Sequence, residues 1–155
     1  MFWMCVIFAF SAQEQEESSA VSESFSYRMV CSADSFLGLN WGDERLHEIA
    51  DAIEGYVRKA AHMTEFGILA VLIYIWLGKW QFTTRKTMLL AILAAALYAA
   101  SDETHQLFVA GRSGRVTDVM IDSAGAILGV LIFAGVEKCI ISLWNRRKSR
   151  ESESL

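Results

Sequence analysis

The sequence predicts an all-α, polytopic membrane helix bundle with four membrane helices, of which the first is short, and an outer amphipathic surface helix. The chain has 155 residues and a mean hydropathy of +0.31. Its apolar residues are concentrated in four separate runs. Each run is apolar on all sides, whereas the helices of a soluble domain carry apolar stripes, so lipid is the expected surrounding. The runs are residues 1–10, 66–77, 88–100 and 123–136.

Residues 1–12 form the first predicted membrane helix. Twelve helical residues rise roughly 18 Å, against about 30 Å of hydrocarbon. We interpret the segment as the end of a membrane helix whose beginning is missing from this sequence. A signal sequence is disfavoured because no Lys or Arg precedes the apolar run. A tilted or shallow anchor is the remaining alternative.

Residues 13–57 are predicted to form an outer loop that contains an amphipathic helix. The Ser- and Glu-rich part, residues 13–42, is expected to have little regular structure. Residues 43–60 differ, because apolar side chains recur there at steps of three and four with charges between them. This pattern predicts an amphipathic helix at the membrane surface. The apolar positions are Leu46, Ile49, Ile53 and Tyr56.

Three further membrane helices are predicted at residues 58–78, 84–108 and 116–144, followed by a tail at residues 145–155. Lys79, Arg85 and Lys86 lie in the turn between the second and third helices, and the tail is also basic. The positive-inside rule places both of these segments in the cytoplasm. Both termini are then cytoplasmic, and the acidic loop lies outside.

Polar side chains follow one face of each long membrane helix near the outer surface. Because ionisable groups are costly in lipid, we expect the three faces to converge on a polar pocket at the outer leaflet. The three sets are Lys59, His62 and Glu65; Asp102, His105 and Gln106; and Arg115, Asp118 and Asp122.

The pocket residues allow two kinds of chemistry. Carboxylates beside imidazoles permit general acid–base catalysis, and the candidates are His62, Glu65, Asp102, Glu103 and His105. Arginine side chains in a glycine-containing loop suit an anion. The predicted ligand-binding residues are Lys59, Gln106, Arg112, Arg115, Asp118 and Asp122.

Several simpler predictions accompany this pocket. No His-x-x-x-His or paired-cysteine spacing occurs, so no metal site is predicted, and the sequence specifies no cofactor. Any single charge can also be structural, for example an Arg115–Asp118 pair one helical turn apart. Gly125 and Gly129 form a small-xxx-small step that permits close helix approach, and Glu137 with Lys138 is predicted to be a snorkelling pair.

These motifs resemble those of the VanZ-like family of bacterial membrane proteins. Residues 58–62 (RKAAH) with 65–69 (EFGIL), residues 101–109 (SDETHQLFV) with 111–112 (GR), and the Asp118–Asp122 pair before 124–125 (AG) are similar to its helix motifs. Residues 7–13 (IFAFSAQ) are similar to the end of its first helix. The resemblance covers the chain as a single domain, residues 1–155. Phe66 and Ala110 depart from it, since Tyr and Pro are common there.

The resemblance implies a multi-pass protein of the bacterial cytoplasmic membrane and, for some members, resistance to teicoplanin. Our first hypothesis is therefore that the pocket binds an anionic envelope molecule, either a cell-wall precursor or a lipoglycopeptide. The second is an intramembrane hydrolase or transferase that acts on a lipid-linked substrate. The third is a structural scaffold for a membrane partner. Membrane lipids are expected partners, and nucleic acids are not.

Overall fold

The computed structural model describes residues 2–13, 15–80, 83–109, 111 and 114–153, and the regular structure in these ranges is entirely helical. An all-α membrane helix bundle is therefore confirmed. The helices are α1 (Phe2–Ser11), α2 (Gln15–Leu37), α3 (Asp43–Gly78), α4 (Thr84–Gln106) and α5 (Val116–Glu153).

Three of these helices, α3, α4 and α5, are long and apolar enough to cross a membrane, whereas α1 is apolar but has only 10 residues. Large side chains on the outside of these helices, such as Leu72, Leu93 and Ile132, are exposed. In a bilayer this surface contacts lipid, so its exposure carries no penalty.

Helix α2 differs from the sequence prediction, because residues 15–37 form a helix where an irregular loop was expected. Ser22, Ser26 and Val30 recur at steps of four on this helix and are buried, and α2 packs against the first half of α3. Short serine side chains allow this close approach. Tertiary contact with α3 therefore holds a helix that composition alone does not predict.

Helix α3 also differs from the prediction, because the amphipathic segment and the second membrane helix form one uninterrupted helix of 36 residues. At 1.5 Å per residue it is about 54 Å long, well beyond the roughly 30 Å of a hydrocarbon core. Helix α3 is therefore longer than one membrane crossing needs, and its first half is continuous with the apolar second half. We call α2 with residues 43–58 of α3 the hairpin.

Polar contacts fix the antiparallel register of the hairpin. Ser22 donates to Glu54, Arg58 donates to the Ser19 hydroxyl at 3.0 Å, and the Tyr27 hydroxyl donates to Asp43 at 2.6 Å. The hydrogen bond to Asp43 holds the pKa of the Tyr27 phenol above its ordinary value. These contacts lie within residues 19–27, so they hold the first half of α2 against α3.

Helix α4 packs through a face of small side chains. Ala91, Ala95 and Ala99 are almost fully buried and recur at steps of four, so they form one stripe along the helix. The helix ends at Gln106, two residues before the predicted end. The same stripe continues into Asp102 and Gln106, which points these polar side chains into the bundle.

Helices α3 and α5 approach each other through glycine. A Cβ atom at Gly125 would overlap the backbone carbonyl of Met63, and one at Gly129 would lie 2.7 Å from the Gly67 carbonyl oxygen. The small-xxx-small step of α5 thus serves a contact within the chain.

At the other end of the bundle, the Tyr74 hydroxyl donates to Glu137 at 2.9 Å, so Glu137 bonds across to α3. Helix α5 extends to Glu153, nine residues past its predicted end.

We expect Gly125→Ala to destabilise the bundle by about 1–3 kcal/mol, because the added methyl group meets backbone that cannot move aside easily. Thermal unfolding of the purified protein in mild detergent measures this change. Gly135→Ala is the matched control on the same helix, since a Cβ there meets no atom within 4 Å. Equal unfolding temperatures for the two variants would contradict the close α3–α5 contact.

Candidate functional site

A hydrogen-bonded group joins α1 to the end of α4. The Ser11 hydroxyl donates to Asp102 Oδ2 at 2.6 Å, and Gln106 Nε2 donates to Ser11 Oγ at 2.7 Å and to Asp102 Oδ2 at 3.0 Å. All three side chains are buried, with Asp102 only 4% exposed. We call Ser11, Asp102 and Gln106 the polar triad, and the end of the bundle where it lies the triad end.

Two further hydrogen bonds hold α1 in place. The Tyr98 hydroxyl donates to the Met4 carbonyl oxygen at 2.7 Å, and Trp3 Nε1 donates to the Glu65 carbonyl oxygen at 2.9 Å. Both use long aromatic side chains that reach from one helix to the backbone of another. Helix α1 is therefore fastened to α3 and α4 despite its shortness, and Ser11 is held at a defined position.

Two buried polar atoms, one in the polar triad and one on the next turn of α4, have no hydrogen-bond partner among the described residues. Asp102 Oδ1 and His105 Nδ1 are shielded from solvent and make no hydrogen bond within the part of the chain that the structure describes. The His105 ring lies against Phe8, with ring centroids 4.5 Å apart. Buried polar atoms normally have a partner, so these two are the places where a bound molecule or water would be accommodated.

Helix α3 brings His62 and Glu65 to the triad end. His62 Nδ1 lies 3.7 Å from Glu65 Oε2, and both side chains are about one quarter exposed. The two residues are one turn apart, as their spacing predicts. They form the partly exposed side of the polar residues at the triad end, whereas the polar triad itself is buried.

Helix α5 adds carboxylates to the same end. Asp122 is 4% exposed and lies within electrostatic range of Glu65, Asp102, Glu103 and Asp118. The buried Glu103 side chain accepts a hydrogen bond from the Arg115 backbone N–H, which ties the start of α5 to α4. The structure thus brings together predicted site residues from all three long helices.

The predicted cationic residues are placed differently. Lys59 and Arg115 have exposed side chains, and Arg112 lies outside the described residues. In the described ranges Arg115 and Asp118 form no ion pair. Instead the Asp118 backbone N–H donates to the Arg115 carbonyl oxygen at 2.9 Å in the first turn of α5. The described part of the site is therefore rich in hydrogen-bond acceptors and poor in cations.

Ser11 is a member of this site that the sequence analysis did not single out. Its partners lie more than 90 residues away, so no local spacing reveals the contact. The available signal was a hydroxyl residue at the end of an apolar run. Such a residue needs a partner where the helix meets other buried polar groups.

The arrangement can recognise a polar group through its open hydrogen-bonding atoms. Among the described residues no group of three His, Cys, Asp or Glu side chains could hold a metal ion. The open Asp102 Oδ1 can accept a hydrogen bond from a hydroxyl, amide or ammonium group. His105 Nδ1 can accept or donate, depending on its protonation state.

We expect Ser11→Ala to destabilise the protein by about 1–3 kcal/mol, because it removes a donor to a buried carboxylate and leaves the Gln106 amide with one acceptor fewer. The measurement is the unfolding temperature in detergent. Ser101→Ala is the matched control, since Ser101 is exposed on α4 and its hydroxyl bonds only to the Tyr98 carbonyl of the same helix. An equal effect of both substitutions would show that the polar triad adds no stability.

Comparison with protein families gives a match over most of the chain. The model of the family described as VanZ/LLP1 matches residues 1–141, which include all five helices up to the middle part of α5. No curated protein and no solved structure matches the chain. Because the family model covers the polar triad, the glycine contact and the three long helices, the chain belongs to the VanZ/LLP1 family.

Proposed function

We propose that this chain is a bacterial envelope membrane protein that binds the polar head group of an envelope lipid at the triad end, and that this binding lowers susceptibility to teicoplanin. The observation that carries the proposal is the pair of open buried atoms, Asp102 Oδ1 and His105 Nδ1. They lie beside a rigid hydrogen-bonded group within a membrane bundle, where an unsatisfied polar atom is costly. A ligand with donor groups removes that cost.

The acceptor-rich character of the described site supports a specific ligand chemistry. Hydroxyl, amide or ammonium groups of a head group would donate to Asp102 and to the neighbouring carboxylates Glu103 and Asp122. An anionic part of the same molecule would bind Arg115, whose side chain is exposed and available, together with Arg112. A cell-wall precursor carries both kinds of group, and so does a lipoglycopeptide.

The triad end also suits a lipid ligand by position. The polar residues lie at one end of helices whose remaining surfaces are apolar and exposed. A lipid whose chains remain in the bilayer presents its head group at this depth. The ligand therefore reaches the site by diffusion within the membrane.

We expect the double variant Asp102→Asn/His105→Ala to bind the head group about 10-fold more weakly or worse. Each lost hydrogen bond to a buried group costs roughly 1–3 kcal/mol, and 1.4 kcal/mol is tenfold in affinity. The measurement is the teicoplanin susceptibility of a Gram-positive host that expresses the natural chain or the variant at equal membrane levels, with vancomycin in parallel. The natural chain should protect, more strongly against teicoplanin, and the variant should not.

The matched control for this test is Ser101→Ala/Thr104→Ala. Both residues are exposed on the same turns of α4, and among the described residues their hydroxyls donate only to carbonyl oxygens of their own helix. The control should protect as well as the natural chain. Equal protection by the Asp102/His105 variant would show that the cluster is structural, and no protection by the natural chain would reject the link to teicoplanin.

A hydrolase or transferase is the second candidate function. Ser11 Oγ lies 2.6 Å from a buried carboxylate oxygen, and a hydroxyl beside a base is the arrangement of an activated nucleophile. His105, which lies one turn after Asp102 on α4, would serve as a proton acceptor. Release of product from a labelled envelope lipid by the purified protein, lost in Ser11→Ala and in His105→Ala, separates this candidate from binding alone.

A further inference from the structure

Three buried carboxylates lie together at the triad end. Asp102, Glu103 and Asp122 are 4%, 7% and 4% exposed, and Asp122 lies within electrostatic range of the other two. Among the described residues, neither Asp102 nor Asp122 forms an ion pair. The hydrogen-bond donors to Asp102 are the neutral side chains of Ser11 and Gln106. Within the described part of the site, no cationic side chain therefore balances the charge of Asp102 and Asp122.

This imbalance leaves a place for a positive charge on the bound molecule. Like charges inside a membrane bundle are costly, and the cost falls when a cation binds among them. Two of the predicted cationic residues lie in the described ranges, Lys59 and Arg115, and both of their side chains are exposed. They do not occupy the buried place between the carboxylates, so a cation from outside the chain can bind there.

Asp102 Oδ1 selects the kind of cation. This atom is shielded from solvent and has no hydrogen-bond partner among the described residues, whereas Asp102 Oδ2 has two partners. A buried carboxylate oxygen needs an N–H or O–H donor in addition to a nearby positive charge. A primary ammonium group has both the charge and three N–H donors. A trimethylammonium group has the charge without a donor, and a hydroxyl group has a donor without the charge.

His105 offers a second acceptor for the same group. It lies one turn after Asp102 on α4, a spacing that brings Cβ atoms within about 5–6 Å of each other. Its Nδ1 atom is also buried and has no hydrogen-bond partner in the described ranges. A neutral imidazole accepts through its unprotonated nitrogen. One ammonium group can therefore donate to both open atoms, and its third N–H remains for a neighbouring carboxylate such as Asp122.

We propose that the triad end binds a primary ammonium group of an envelope lipid, with Asp102 Oδ1 as its buried acceptor. The inference rests on the proposed function, because it names the chemical class of the head group that binds there. Arg115 suits a head group that also carries a phosphate. Its backbone N–H donates to Glu103, the residue next to Asp102, and its exposed side chain is left for the anion. Ethanolamine phospholipids and lipid-linked cell-wall precursors with a lysine in their peptide carry both groups.

A series of matched lipids tests the ammonium group. The purified full-length protein in mild detergent, with EDTA present, is titrated with phosphatidylethanolamine, its N-methyl form, its N-acetyl form and phosphatidylcholine. Native mass spectrometry of the intact protein gives the dissociation constants. The N-methyl form keeps the charge and two N–H donors, so it should bind within about threefold of the parent lipid. The N-acetyl form loses the charge and phosphatidylcholine loses the donors, so each should bind about tenfold more weakly or worse.

A second arm separates the two sources of the ammonium group. A lipid-linked cell-wall precursor with a lysine in its peptide is compared with the same molecule acetylated on the lysine amine. Weaker binding after acetylation in one arm alone assigns the ligand to that lipid class. Binding that ignores acetylation in both arms overturns the ammonium proposal and leaves head-group binding intact. No binding in either arm rejects the proposed function itself, and phosphatidylcholine that binds as tightly as phosphatidylethanolamine contradicts the role of Asp102 Oδ1.

The variant Asp102→Asn connects the preference to this carboxylate. Asparagine keeps the size of the side chain and an acceptor for Ser11 but removes the charge. The preference for the amine over its acetylated form should therefore fall from about tenfold to about one. The matched control is Asp51→Asn, the same change at an exposed position of the hairpin, which should keep the preference. Unfolding temperatures identify a misfolded variant, in which case the lipid series on the natural chain decides. A folded Asp102→Asn variant that keeps the full preference overturns the proposal.

Discussion

The requirement that every polar group in lipid find a partner organises the triad end of this protein. Asp102, Glu103 and Gln106 lie in the last two turns of the apolar helix α4, and they would be costly if they faced lipid. The small residues below them turn the same face of α4 into the bundle. Ser11 then supplies the hydroxyl that completes the polar triad, and it joins the end of the short α1 to α4.

Close backbone contact between α3 and α5 is the second condition for the site. Gly67, Gly125 and Gly129 bring the two helices together without side chains between them. This places Asp122, one turn before Gly125, close to the carboxylates of α3 and α4. The close contact between α3 and α5 therefore also brings the acidic side chains together. Bulkier residues at these glycine positions would move α5 away from the carboxylates of α3 and α4.

The sequence predicted the parts of this structure whose signals are local. The all-α membrane class followed from the apolar runs. The convergence of His62, Asp102 and Asp122 followed from helical spacing and from the cost of charge in lipid. The glycine step on α5 was recognised, although its partner on α3 was not. The sequence signal for each of these features lies within a few turns of one helix.

The features that the sequence did not predict depend on distant contacts. Helix α2 is Ser- and Glu-rich, and its helical state depends on packing against α3. Ser11 becomes part of the site only through Asp102 and Gln106, which are more than 90 residues away. The continuity of α3 was not predicted because its first half is charged and its second half is apolar, and this change of composition indicated two separate helices. Nothing within the helix breaks it between them, since the chain contains no proline.

The unbroken α3 makes the hairpin and the site mechanically dependent on each other. His62 and Glu65 lie on the same helix as residues 43–58 of the hairpin, and residues 19–27 of α2 are hydrogen-bonded to that helix. A tilt of roughly 5° about the level of Glu65 displaces the far end of the helix by about 3 Å, given 1.5 Å of rise per residue. The same tilt rotates the Glu65 carboxylate relative to Asp122. A force on the hairpin is therefore transmitted along α3 to the Glu65 carboxylate, because no loop or hinge interrupts the helix.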